Sequence, residues 1–106
     1  MTARMHQIIW CFPADGERPA RSEVVFTGTP AQCRAFERRT NRERSKASEA
    51  EARAAEAAGD LAGAFWHFGQ ARDGADFAED KRRKEAMQME CSRILRAIRA
   101  AQEVTS

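Results

Sequence analysis

The spacing of apolar side chains along this chain changes from two residues to between three and four near residue 29, which separates a short β region from a long helical one. In Met5–Phe12, MHQIIWCF, Ile8, Trp10 and Phe12 fall on one side of an extended strand, with Gln7, Ile9 and Cys11 on the other. The following PADGERPARS holds two prolines and an Asp-Gly pair, which predicts a reversal longer than a two-residue turn. Glu23–Thr27, EVVFT, predicts a second strand in which Val25 opposes Val24 and Phe26. Two strands alone are marginal in water, so a helix is expected to cover the apolar face of this hairpin.

The helical signals begin at Thr29. Thr29 is placed to cap a helix, Pro30 takes the first helical position where its missing N–H costs nothing, and Gln32 completes a capping box. Cys33 and Phe36 then share a face directed at the hairpin. The pattern continues to Ala58, long for a globular helix, and the weak helix formers Thr40 and Asn41 predict a kink or restart. Ala47, Ala50, Ala54 and Ala57 form a small-residue stripe suited to the close approach of another helix. Gly59-Asp60 ends this run and caps the next, in which Leu61, Ala64, Phe65 and Phe68 have core spacing as far as Ala71 or Arg72. Asp73-Gly74 reads as a second break. A last helix from about Asp76 to Ala101 carries Met87, Cys91, Ile94, Leu95 and Ile98 on one broad stripe, with acids at its positive end.

The predicted fold is therefore α+β and mostly helical, in the order β-β-α-α-α: an N-terminal β-hairpin, a long or kinked helix and a helical hairpin. All 106 residues are assigned to one domain, with 5–40 as a ββα unit and 41–102 as the helical region. Gly59, Ala64, Phe68 and Ala71 resemble the latter part of a tetratricopeptide unit over about fifteen residues. Ser48, Glu51 and Ala52 stand where the first half of such a unit carries a large aromatic and a Leu-Gly pair, and no second copy follows. The resemblance implies an antiparallel helix hairpin reached by convergence.

Composition narrows the picture. The apolar fraction of 42% is rich in Ala, so six Phe, two Trp and a few aliphatic residues supply most of the burial. A core this thin makes a homodimer, or a partner that covers apolar surface, a reasonable expectation. The net charge of +2 hides a segregation: residues 31–46 carry +4, residues 47–80 carry −6 and residues 81–106 carry +4. Such segments either attract one another within the fold or present differently charged surfaces to partners. Three widely spaced cysteines do not form a secreted disulfide framework, and no stretch has the apolar character of a signal peptide or membrane span. A reduced, cytoplasmic setting without membrane association is expected.

Chemistry finds little support. His6, Cys11, Cys33, His67 and Cys91 show no paired short ligand spacing, so no metal or other cofactor is expected. Cys33 lies in a first helical turn beside Arg34, where a thiolate is favoured, but its alignment with Phe36 reads as packing; Cys91 sits in an apolar stripe. The glycines lack the Lys-Ser ending of a phosphate loop. The chain reads as a non-enzyme.

The preferred reading is a small accessory or inhibitor protein that occludes a partner protein's surface through its helical faces, of a kind compatible with short phage and mobile-element proteins. Trp66 is rotated about 100° from its core neighbours, so it either packs on the N-terminal unit or is exposed as a binding anchor. His67 beside it reads as a surface or interface residue. Glu49, Glu56, Asp76, Glu79 and Asp80 complete the expected protein-binding set, as a continuous acidic surface able to imitate a phosphate backbone. The alternative is nucleic-acid binding through phosphate contacts from Arg34, Arg38, Arg42 and Lys46 on one helix and Arg82, Arg93 and Arg96 on another.

Overall fold

The structure is a computed structural model that describes residues 4–105. Strands β1 (His6–Phe12) and β2 (Arg21–Gly28) are followed by helices α1 (Pro30–Ala57), α2 (Leu61–Phe77) and α3 (Lys81–Thr105). This is the predicted α+β order, with the antiparallel hairpin and three helices. None of the described helices is long and apolar enough to cross a membrane. The chain divides into two compact units, Met1–Glu37 and Arg38–Ser106, with the boundary inside α1.

In the first unit, β1 and β2 pair antiparallel with Ile8 opposite Phe26 but Ile9 opposite Val24, so Val25 is an extra, bulged residue. The bulge corrects the simple alternation expected of β2. Val24 and Phe26, two residues apart, face opposite sides: Val24 is exposed beside Ile9, whereas the Phe26 ring stacks on Phe36 of α1 at 4.7 Å. Trp10 approaches the same Phe36 ring at 6.3 Å. The helix is aimed at this face by the predicted capping box: the Thr29 N–H donates to Gln32 Oε1 at 2.9 Å, and the Gln32 N–H donates to Thr29 Oγ1 at 3.2 Å. Cys33 is buried, its Sγ 3.7 Å from the His6 carbonyl and 3.8 Å from that of Gly28.

In the second unit, residues 38–57 of α1 join α2 and α3 around Ala52, Ala64, Phe68, Ala71, Met87, Cys91 and Ile94. Helix α1 runs unbroken from Pro30 to Ala57 through Thr40 and Asn41, so the helix does not restart there. Gly74 is not a break either but lies inside α2, where α1 comes so close that a Cβ there would sit 3.1 Å from the Asn41 carbonyl oxygen and 3.2 Å from Ser45. Its role is close approach, a packing demand that outweighs poor helix propensity at both places. The actual reversal falls at Ala78–Asp80: Glu79 adopts a left-handed φ of 57°, and Asp80 Oδ1 accepts from the Arg83 N–H to cap α3. The earlier turn is as read, with Gly59 at φ 83° and Asp60 accepting from the Gly63 N–H.

The packed face of α1 is not the alanine stripe. Ala47, Ala50, Ala54 and Ala57 are exposed, while Ser45 and Ala52 are fully buried and Glu49 and Glu56 half-buried. Charge pairing with α3 selects this face. Phe65, expected in the core with Leu61 and Phe68, is 38% exposed, because the inward side of α2 is taken by Ala64, Phe68, Ala71 and Ala75.

Candidate functional site

Helix α2 has two unlike sides. Opposite its buried Ala64-Phe68-Ala71-Ala75 side, the helical repeat aligns Ala62, Trp66, Gln70, Asp73 and Phe77 in a single stripe. Trp66 is 63% and Phe77 69% exposed, and eleven residues of helix set them about 16 Å apart. Beside this stripe an open groove of about 330 Å³ runs between α1 and α2, floored by Ala47, Ser48 and Gly74, edged by Arg44 and Glu51, and ended by Phe77. His67 Nδ1 lies 3.1 Å from Glu51 Oε2, tying the two helices beside Trp66. Trp66 is thus an aromatic on a helix surface, flanked by a mixed polar groove.

The acidic residues named with Trp66 are all held within the unit. Glu49 accepts from Arg83 at 2.7 Å and from Arg53 at 2.8 Å, and Glu56 takes both terminal nitrogens of Arg93 at 2.6 and 2.8 Å. Asp76 pairs with Lys84 at 2.9 Å, Glu79 with Arg38 at 3.0 Å and Asp80 with Arg42 at 3.4 Å. The segregated charges therefore meet one another. Of the basic set, Arg38, Arg42 and Arg93 are engaged in these pairs, whereas Arg34, Lys46, Arg82 and Arg96 are exposed and form no ion pair among the described residues. Arg82 and Arg96 lie along the outer side of α3 with Met89, itself 72% exposed, between them.

Sequence reasoning missed the polar ladder that joins α1 to α3. Ser45, fully buried, donates from Oγ to the Ala71 carbonyl at 2.6 Å and accepts from Arg83 Nε at 2.6 Å. Arg83 continues to Glu49, Glu49 to Arg53, and Arg53 to Glu90, which Arg93 joins to Glu56. The signal was present as acids and arginines four and three residues apart on two helices, but its sense depended on which faces meet.

Electrostatics follow this ladder. Burial raises the Glu49 carboxyl, but hydrogen bonds from Arg53 and Arg83 outweigh it and hold the group below the usual 4.5. Hydrogen bonds from Arg93 lower Glu56 and Glu90. A carboxylate with a depressed folded pKa stabilises the fold above its unfolded value and loses that contribution as pH falls through the folded one. The melting temperature is accordingly expected to stay level from neutral pH down to about 5 and then to fall progressively, and Glu56→Gln should flatten part of that descent in a pH series of thermal melts. Burial pushes the Cys91 thiol up, away from a reactive thiolate. Among the described residues no group of three or more His, Cys, Asp or Glu is placed to hold a metal ion.

The geometry offers an exposed aromatic stripe on α2 and, among the described residues, exposed cations at Arg34, Lys46, Arg82 and Arg96. No protein-family model, curated protein or solved structure matches the chain.

Proposed function

We propose that this is a non-enzymatic binding protein that docks on another protein through the outer stripe of α2 and occludes the surface it covers. Trp66 and Phe77, both more than half exposed on one helical stripe, carry this reading. Tryptophan concentrates binding energy because it desolvates a large rigid area at little conformational cost, and a partner that accepts it needs an apolar pocket with a polar rim. The groove beside the stripe, with Arg44, Glu51 and Asp73 in its lining, offers polar groups to meet such a rim. Glu49, Glu56, Asp76, Glu79 and Asp80 act in this reading by shaping the unit, since each is committed to a cation on it. A reducing, cytoplasmic setting suits the free cysteines Cys11, Cys33 and Cys91.

The test isolates the bound partner from the native cell and measures its affinity for the pure chain. Trp66→Ala should weaken binding about 30-fold, corresponding to about 2 kcal/mol, with an unchanged melting temperature because the ring is outside the core. Undiminished affinity in that variant would remove the reading.

A second reading rests on Arg34, Lys46, Arg82 and Arg96, exposed cations that form no ion pair among the described residues: contact with nucleic-acid phosphates. It predicts capture of nuclease-sensitive material that is released by salt and lost in Arg82→Glu/Arg96→Glu, whereas Trp66→Ala leaves it in place.

A further inference from the structure

The first unit has a sheet of two strands, so each strand is also an edge, with alternate backbone N–H and C=O groups directed away from its neighbour. The two edges differ. Strand β2, RSEVVFTG, carries Arg21 and Glu23 and is interrupted by the bulge at Val25, devices that discourage a further strand. Strand β1, HQIIWCF, has no proline, glycine, lysine, arginine or acid across seven residues and lies on the unbulged side of the pair. It combines β-branched and aromatic residues with very low charge, the composition of a segment that accepts edge pairing.

The surface beside that edge has the same character. The outer face of the hairpin presents Gln7, Ile9 and Cys11 from β1 and Ser22, Val24 and Thr27 from β2, all exposed and none with a formal charge, in a chain of which 32% is charged. A partner whose recognition depended on charge would find no complement here. A second copy of the hairpin matches it, because an uncharged patch related to itself by a twofold axis brings no like charges together.

We infer that β1 pairs antiparallel with β1 of a second copy of this chain, giving a four-stranded sheet in the order β2-β1-β1-β2. The twofold axis stands perpendicular to the sheet at Ile9, the middle of the strand. Ile9 then faces Ile9, Gln7 faces Cys11, Ile8 faces Trp10 and His6 faces Phe12 of the other copy, so no acid or arginine enters the joint. This axis keeps both inner faces, with Ile8 and Phe26, on one side of the enlarged sheet. Seven residues span about 23 Å, an ordinary strand length, and the main chain supplies the association with hydrogen bonds that side-chain area alone would not. The joint also relieves a weakness of the unit, since a two-stranded sheet is marginal where three or more strands are not.

The test uses the full chain in sedimentation equilibrium from about 1 μM to 1 mM, a span covering weak to moderate dimers. The wild type is expected to reach twice its 11.9 kDa mass. Ile9→Lys and Ile9→Glu place like charges on the axis and should each remain monomeric, while an equimolar mixture should restore the dimer. Val24→Lys, on the outer strand, should leave it intact. A monomeric wild type throughout the range, a dimer that survives Ile9→Lys, a mixture that stays monomeric, or a dimer abolished by Val24→Lys as face-to-face stacking requires, would each overturn the inference. Amide exchange on the unmutated chain gives an independent check: raising the concentration should protect the outward N–H groups of β1 and not those of β2, and the reverse order would refute the joint.

Discussion

Replacing Phe68 by Ala is expected to remove about 3–5 kcal/mol from the stability of the helical unit, read as an earlier midpoint in urea with unchanged slope. Phe68 is fully buried and is the largest such side chain among the described residues. Its neighbours in the core are mostly small: Ala52, Ala64 and Ala71 surround it, and Met87, Cys91 and Ile94 supply the remaining bulk. Alanines have no flexible extent with which to refill the space, so most of the cavity should persist and the cost should fall toward the upper end of that range. The Arg53 guanidinium, 5.4 Å from the ring centroid, also loses its aromatic contact. Phe65→Ala is the control. Three residues earlier and rotated about 60° from Phe68, that ring is 38% exposed, and its loss should cost less than half as much. Equal losses in the two variants would mean that the core is centred elsewhere.

The second large effect is expected at Ser45 and Arg83. Ser45→Ala should destabilise by about 2–3 kcal/mol although it deletes a single oxygen, because that oxygen both donates to the Ala71 carbonyl and accepts from Arg83 Nε. Arg83, only 17% exposed at its side chain, is then left with a charged donor facing alanine. Arg83→Met removes that donor and fits the half-buried space, leaving Glu49 to Arg53. The combined variant should therefore be more stable than the sum of the single losses predicts, by about 1–2 kcal/mol. Strict additivity in a urea double-mutant cycle would show that the two side chains act separately. Raised ionic strength offers a further discrimination: the exposed pairs Arg38–Glu79 and Lys84–Asp76 should weaken, and the partly buried Arg83–Glu49 contact should persist.

These two results concern the parts of the molecule least visible in its letters. The capping box at Thr29–Gln32, the Gly59-Asp60 turn and the apolar stripe of α3 were legible because each depends on residues within one or two turns of one another. Gly74 was misread for the complementary reason. An Asp-Gly pair carries a local preference for a turn, whereas its use here is to let Asn41 and Ser45, some thirty residues away, come within van der Waals distance. The bulge at Val25 belongs to the same class, since register is settled by the partner strand and by Phe36 packing on Phe26. For the candidate site, the sequence singled out Trp66 but left its environment open, and Phe77 entered only when α2 was seen to continue through Gly74 and carry both rings on one stripe.

By itself the sequence determined the kinds and order of the elements, the caps of α1 and α2 and the segregation of charge, because backbone preference and side-chain period act over a few residues. Tertiary structure alone decided that the acids and arginines of α1 and α3 would meet, that the alanine stripe would stay outside, and that Trp66 and Phe77 would share an open face. Those outcomes depend on which surfaces exclude water together, and that choice is made by matching volume and charge between segments far apart in the chain.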